Sequence, residues 1–86
     1  AAKAPSAISA GLTGEGQARF AALKAWRAEV AREHNLPAYV IFHDATLAAI
    51  AALAPKSLDE LQGISGIGAK KLEAYGGEVL RVVQSA

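Results

Sequence analysis

Large apolar residues along this chain recur at intervals of three and four, the spacing of one face of an α-helix. Phe20, Leu23, Arg27, Val30 and His34 line up this way and predict a long first helix over residues 15–34. Asn35 is a suitable C-terminal stop, and Pro37 two residues on cannot continue the helix. Residues 37–42, PAYVIF, have strand-like composition but no partner strand. They predict an extended or single-turn connector with Val40, Ile41 and Phe42 pressed into the core. Asp44 is placed to cap a helix over 45–54, with Leu47, Ile50 and either Leu53 or Ala54 inward, and Pro55 ends it. Ser57 and Glu60 have capping-box spacing and open a short helix carrying Leu58 and Leu61, closed by Gly63. The last helix is predicted over 69–84, with Leu72, Tyr75, Gly76, Val79, Leu80 and Val83 on its inner face. Gly76 and Gly77 inside it should each cost about 1 kcal/mol relative to alanine. Residues 1–14 mix Ala, Ser, Gly and Pro without periodicity and read as a flexible linker ahead of a helical domain over 15–86.

Composition fits an all-α chain and limits its size. Alanine supplies 21 of the 86 residues, which favours helix over strand. The large apolar residues number only 24, enough for one small core. Cysteine and methionine are absent, so there is no disulfide, thiolate metal site or cysteine nucleophile. No run approaches the roughly 20 apolar residues of a membrane span. The pattern predicts a compact, monomeric bundle of about five helices, one a single turn, without a membrane anchor or secretion signal. A cytoplasmic location follows as the expectation. Nine basic and eight acidic residues leave a net charge of +1, so nucleic-acid binding would have to come from local patches and be weak.

The stretch over 61–72, LQGISGIGAKKL, carries the most chemistry. A short helix ends and a longer one begins across Gly66-Ile67-Gly68, giving a helix-hairpin-helix-like element. Glycines allow a tight turn and leave amides uncovered. Free N–H groups at the start of a helix, with its dipole, form a natural phosphate site. Gly66, Gly68, Ala69, Lys70 and Lys71 are therefore nucleic-acid-binding candidates. The plainer reading is a tight turn with Ile67 plugged into the core and two solvated lysines.

Read together, four segments resemble an HRDC domain, the helicase-and-RNase-D C-terminal module. They are Phe20-x-x-Leu23-x-x-Trp26-Arg27; Leu36-Pro37-Ala-Tyr39-Val40-Ile41-Phe42-x-Asp44-Ala45-Thr46-Leu47; Pro55; and Ile64-x-Gly66-Ile-Gly68-x-x-Lys71-Leu72-x-x-Tyr75-Gly76. The resemblance spans about residues 17–84. It implies a five-helix bundle, no catalysis, and an auxiliary nucleic-acid-binding or regulatory role. The parent preferred is a RecQ-type DNA helicase over RNase D, acting in repair or recombination in a bacterial cytoplasm, at the nucleoid. Three positions depart from the family pattern. Ala38 stands for a second proline before the tyrosine, Ala69 for a proline opening the last helix, and Gly77 for a charged residue. Less basic charge implies weak intrinsic DNA affinity.

Two surfaces compete as the functional one. Tyr39, in the loop after the first helix, either offers its ring to a base or packs on the long helix. Arg27 lies near the inner face and is expected to pair with Asp44 or a loop carbonyl. On the first helix Lys24 and Arg32 fall on one flank and Glu15, Glu29 and Glu33 on the other. Trp26 borders the acidic side. It is either an edge of the core or, with Glu29 and Glu33, a contact for a protein partner or another domain of the parent. His34 reads as a polar helix end and His43 as a loop residue, and neither has a ligand cluster at metal spacing. No catalytic triad, phosphate-binding Walker loop or dinucleotide fingerprint is present, and an exposed lysine pair lacks the apolar pocket of a Schiff-base amine. No cofactor is expected. The candidate functions are a weak, structure-dependent DNA-binding module and a protein-contact module.

Overall fold

A computed structural model describes residues 14–86, which fold into five helices. These are α1 (Gly14–His34), α2 (Ala38–Ile41), α3 (Asp44–Leu53), α4 (Leu58–Gln62) and α5 (Ala69–Ser85). No strand occurs among the described residues. The linker expected over 1–14 lies, apart from Gly14, outside them.

α1 stops where the sequence predicts. Asn35 takes a left-handed φ of 57°, the Leu36 amide donates to the Ala31 carbonyl at 2.8 Å, and the Asn35 amide donates to Arg32 at 3.2 Å. This pair of bonds is a Schellman motif. The α3 end uses the simpler αL stop, with one 5→1 bond, since Pro55 has no N–H for a second. Ala54 has φ 47° and donates to the Ile50 carbonyl at 2.9 Å, and the buried Pro55 follows. Ala54 faces partly inward while Leu53 is exposed, which resolves the choice between them.

α1, α3 and α5 enclose a core whose deepest side chains are Leu23, Ile41, Phe42, Leu47, Ile50, Leu61 and Val79. Phe20 and Val30 extend it along α1, and Val83 along α5. A polar tie joins α1 to α3. The Arg19 Nε donates to the Ala51 carbonyl at 2.8 Å, a contact 32 residues apart that periodicity does not reveal.

Three local expectations are corrected. Val40 is not in the core but 40% exposed, because the single turn of α2 points Ile41 inward and turns its neighbour out. Asp44 is not the cap of α3. It is the first residue of that helix, His43 holds the cap position, and no side chain caps there. The capping box of α4 is half formed. Ser57 Oγ accepts from the Glu60 amide at 3.2 Å, whereas the Glu60 carboxylate accepts from the Lys56 amide instead of that of Ser57.

The double glycine of α5 divides by role. A Cβ at Gly76 would sit 2.8 Å from Leu58 Cδ2 and 3.3 Å from Leu72 Cδ1, so Gly76 lets α4 lie close on α5. Leu58 is itself about half exposed, covering Gly76 from the outside. A Cβ at Gly77 would meet nothing within 4 Å.

Candidate nucleic-acid interface

The hairpin between α4 and α5 is held from below by two isoleucines. Ile64 and Ile67 are 4% and 8% exposed, and the Ile67 amide donates to the Ile64 carbonyl at 3.3 Å. Ile67 is therefore plugged into the core, as the plainer reading of the turn required. Gly66 has φ 95°, and a Cβ there would strike the hydroxyl of Thr46. Thr46 is buried in the first turn of α3. The turn thus needs glycine for both conformation and close approach. It also docks the hairpin on α3, a contact 20 residues away in sequence.

The upper side of the hairpin is open. Gly68, Ala69 and Lys70 are exposed, and nothing lies within 4 Å of a Cβ built on Gly68. Gly68 caps α5 in extended conformation with no side-chain cap, so the first-turn amides have no partner inside the helix. The two lysines differ. Lys70 is exposed, whereas Lys71 is half-buried with Nζ 5.3 Å from the centre of the Phe42 ring. That cation–π contact ties the α5 start to the α2–α3 corner.

The corner is fastened by Arg27, whose side chain is 11% exposed. Its Nη1 donates to the Phe42 carbonyl at 2.9 Å and pairs with Asp44 Oδ1 at 2.6 Å. Both expected partners, the carboxylate and a loop carbonyl, are engaged by one nitrogen. The Phe42 ring lies against Trp26 and Tyr75, with centroids 6.1 and 5.9 Å away.

Outside this corner, Tyr39 is 62% exposed. Its ring lies beside that of His43, with centroids 6.3 Å apart and planes 23° from parallel. The loop residue expected at position 43 is therefore also an aromatic neighbour. Lys71, through Phe42, and the Tyr39–His43 pair both border the α2–α3 corner.

The competing surface is also formed. Trp26 is half-buried, with its ring 5.8 Å from that of Tyr75. Its indole N–H is buried and meets no acceptor among the described residues. Glu29 and Glu33 are exposed. A shallow hollow of about 420 Å³ runs between α1 and the end of α5, lined by Trp26, Glu29, Arg81 and Val82 among others. Trp26 is thus both an edge of the core and a wall of a groove. No helix among the described residues is long and apolar enough to cross a membrane.

Comparison with known proteins finds a family match and relatives among DNA helicases. The HRDC domain family profile matches residues 16–83. The ATP-dependent DNA helicase UvrD2 of Mycobacterium tuberculosis is 55% identical over 62 residues, covering 72% of this chain and 9% of that helicase. The ATP-dependent DNA helicase RecQ of Bacillus subtilis is 34% identical over 79 residues, covering 92% of this chain and 13% of that protein. Among solved structures, HRDC domain 3 of RecQ from D. radiodurans superposes with a TM-score of 0.80 at 36% identity. That match covers 84% of this chain and 95% of the other. The chain therefore spans about a tenth of the length of the helicases it resembles.

Proposed function

Because the chain belongs to the HRDC domain family, we propose that it serves a bacterial DNA helicase as a non-catalytic auxiliary module that binds DNA weakly and tunes substrate selection. The parent is a helicase of the RecQ or UvrD2 kind, working in the cytoplasm at the nucleoid. The module is the monomeric helical domain that opens with α1. DNA phosphates are held by the amides of Gly66, Gly68 and Ala69 with Lys70 and Lys71, and Tyr39 offers its ring to a base. The observation that carries this reading is the uncapped, solvent-open start of α5 beside two lysines. Lysines in a first helical turn oppose the helix dipole, and a bound anion reverses that term. Affinity of the isolated module is weak, and tethering to the helicase raises it through effective concentration.

The hollow beside Trp26 supports a second reading, in which Trp26, Glu29 and Glu33 meet another domain of the parent or a protein partner. A titration with labelled single-stranded and branched DNA at two salt concentrations separates the two. Lys70→Ala combined with Lys71→Ala should weaken binding to all sequences alike and make the salt dependence shallower by about one to two units. Stability should barely change, because relief at the dipole offsets the lost contact on Phe42. Equal binding with an equal slope would move the phosphate site elsewhere. No binding by the unaltered chain at low salt would favour the Trp26 surface.

A further inference from the structure

We infer that His43 is a positioning residue for single-stranded DNA: its ring backs that of Tyr39 and presents the opposite face of the tyrosine to an unpaired base. This rests on the reading that Tyr39 contacts DNA. The support comes from how residue 43 is held. Arg27 grips the residues on both sides of it, the carbonyl of Phe42 and the carboxylate of Asp44. The Phe42 ring is 1% exposed and anchors that side in the core. The backbone at His43 is thereby fixed while its side chain remains outside.

Tyr39 lies in the single turn of α2, and the chain leaves that turn extended through Phe42 and His43. This exit, not a continuous helical face, sets the imidazole beside the tyrosine ring. The observed rings, 6.3 Å apart and 23° from parallel, lie within the range of offset aromatic pairs. An exposed tyrosine alone must give up rotamer freedom when a base stacks on it. A tyrosine already resting on a ring whose neighbouring residues are held loses less. Val40, next to it and 40% exposed, adds apolar surface at the same corner. Duplex DNA keeps its base faces stacked, so a ring platform of this kind suits unpaired strands.

The test uses the whole 86-residue chain and a fluorescein-labelled oligothymidylate at low salt. Three variants are compared with the unaltered protein: His43→Ala, His43→Phe and Tyr39→Ala. His43→Ala should weaken binding about two- to tenfold, the range of one aromatic pair. His43→Phe should restore it to within about twofold, because a ring of any chemistry can back the tyrosine. Tyr39→Ala should be at least as damaging as His43→Ala. Tyr39 ring-proton shifts in the free protein should move in His43→Ala while the melting temperature stays put. Binding by His43→Ala equal to the unaltered chain, with Tyr39→Ala impaired, overturns this role and leaves the DNA-binding face intact. Equal weakening by His43→Ala and His43→Phe also overturns it, because the imidazole would then act through its nitrogens. Binding indifferent to both Tyr39→Ala and His43→Ala overturns the tyrosine contact itself, and this inference with it.

Discussion

Replacing Asp44 by alanine tests whether the α2–α3 corner is held by a clamp or only by a helix start. A side-chain cap would make the loss about 0.5–2 kcal/mol. The structure gives Asp44 a different job. It sits in the first turn of α3, where a carboxylate favours the dipole by about 0.3–1 kcal/mol. It also accepts from Arg27 at 2.6 Å, and a hydrogen bond to a charged group contributes about 1.5–3 kcal/mol. Asp44 is 50% exposed and Arg27 only 11%, so the pair lies between a screened surface bridge and a fully buried one. The two contributions add to about 2–4 kcal/mol, and discounting for that exposure gives a loss of about 1–3 kcal/mol for Asp44→Ala. Much of it arises because the guanidinium stays largely buried with one acceptor, the Phe42 carbonyl.

A double-mutant cycle with Arg27→Met isolates the pair. Its coupling energy should be about 1–2 kcal/mol by chemical denaturation. For a domain of this size the single aspartate change should lower the melting temperature by roughly 5–20 °C. Coupling below about 0.5 kcal/mol would refute the clamp, placing the pair among screened surface bridges.

Two glycine substitutions probe the hairpin and the last helix. Gly66→Ala should cost more than about 2 kcal/mol, because it forces an unfavourable φ and drives a methyl group into buried Thr46; an unchanged denaturation midpoint would refute that packing. Gly77→Ala should instead stabilise by about 0.5–1 kcal/mol, since helix propensity improves and the space is empty; a loss in the same assay would show an unseen contact.

The helices were legible in the sequence because their signals are local. The three-and-four spacing of Phe20, Leu23 and Val30, the asparagine stop and the Ser57 cap each lie within a few residues of what they control. Arg27 was also readable, since a charged residue near a core stripe must find partners. What escaped is long-range or hinges on one turn. Reading residues 37–42 as an extended or single-turn connector leaves open which side chains face the core, so Val40 is expected inward and the pairing of Tyr39 with His43 is not visible. Helix-start signals assign Asp44 to the cap, whereas it is the first residue of α3 and pairs with an arginine 17 residues upstream, which no local signal shows. Nothing local could show that Arg19 reaches Ala51 or that Gly66 lies on Thr46.

Phe42 connects these pieces, and its position bears on how a nearly neutral module can contact DNA. With a net charge of +1 the chain has no strong overall field to gather phosphates. Affinity then depends on a few groups already in place. Lys71 rests over the Phe42 ring, Arg27 holds the Phe42 carbonyl, and Trp26 and Tyr75 wall the ring in. On the proposed reading, ordering these groups costs little when DNA arrives, because folding has already done it. The same reading has few phosphates neutralised, which predicts a shallow salt dependence and weak binding. On that reading, such a module would act on DNA only while a parent helicase keeps it close.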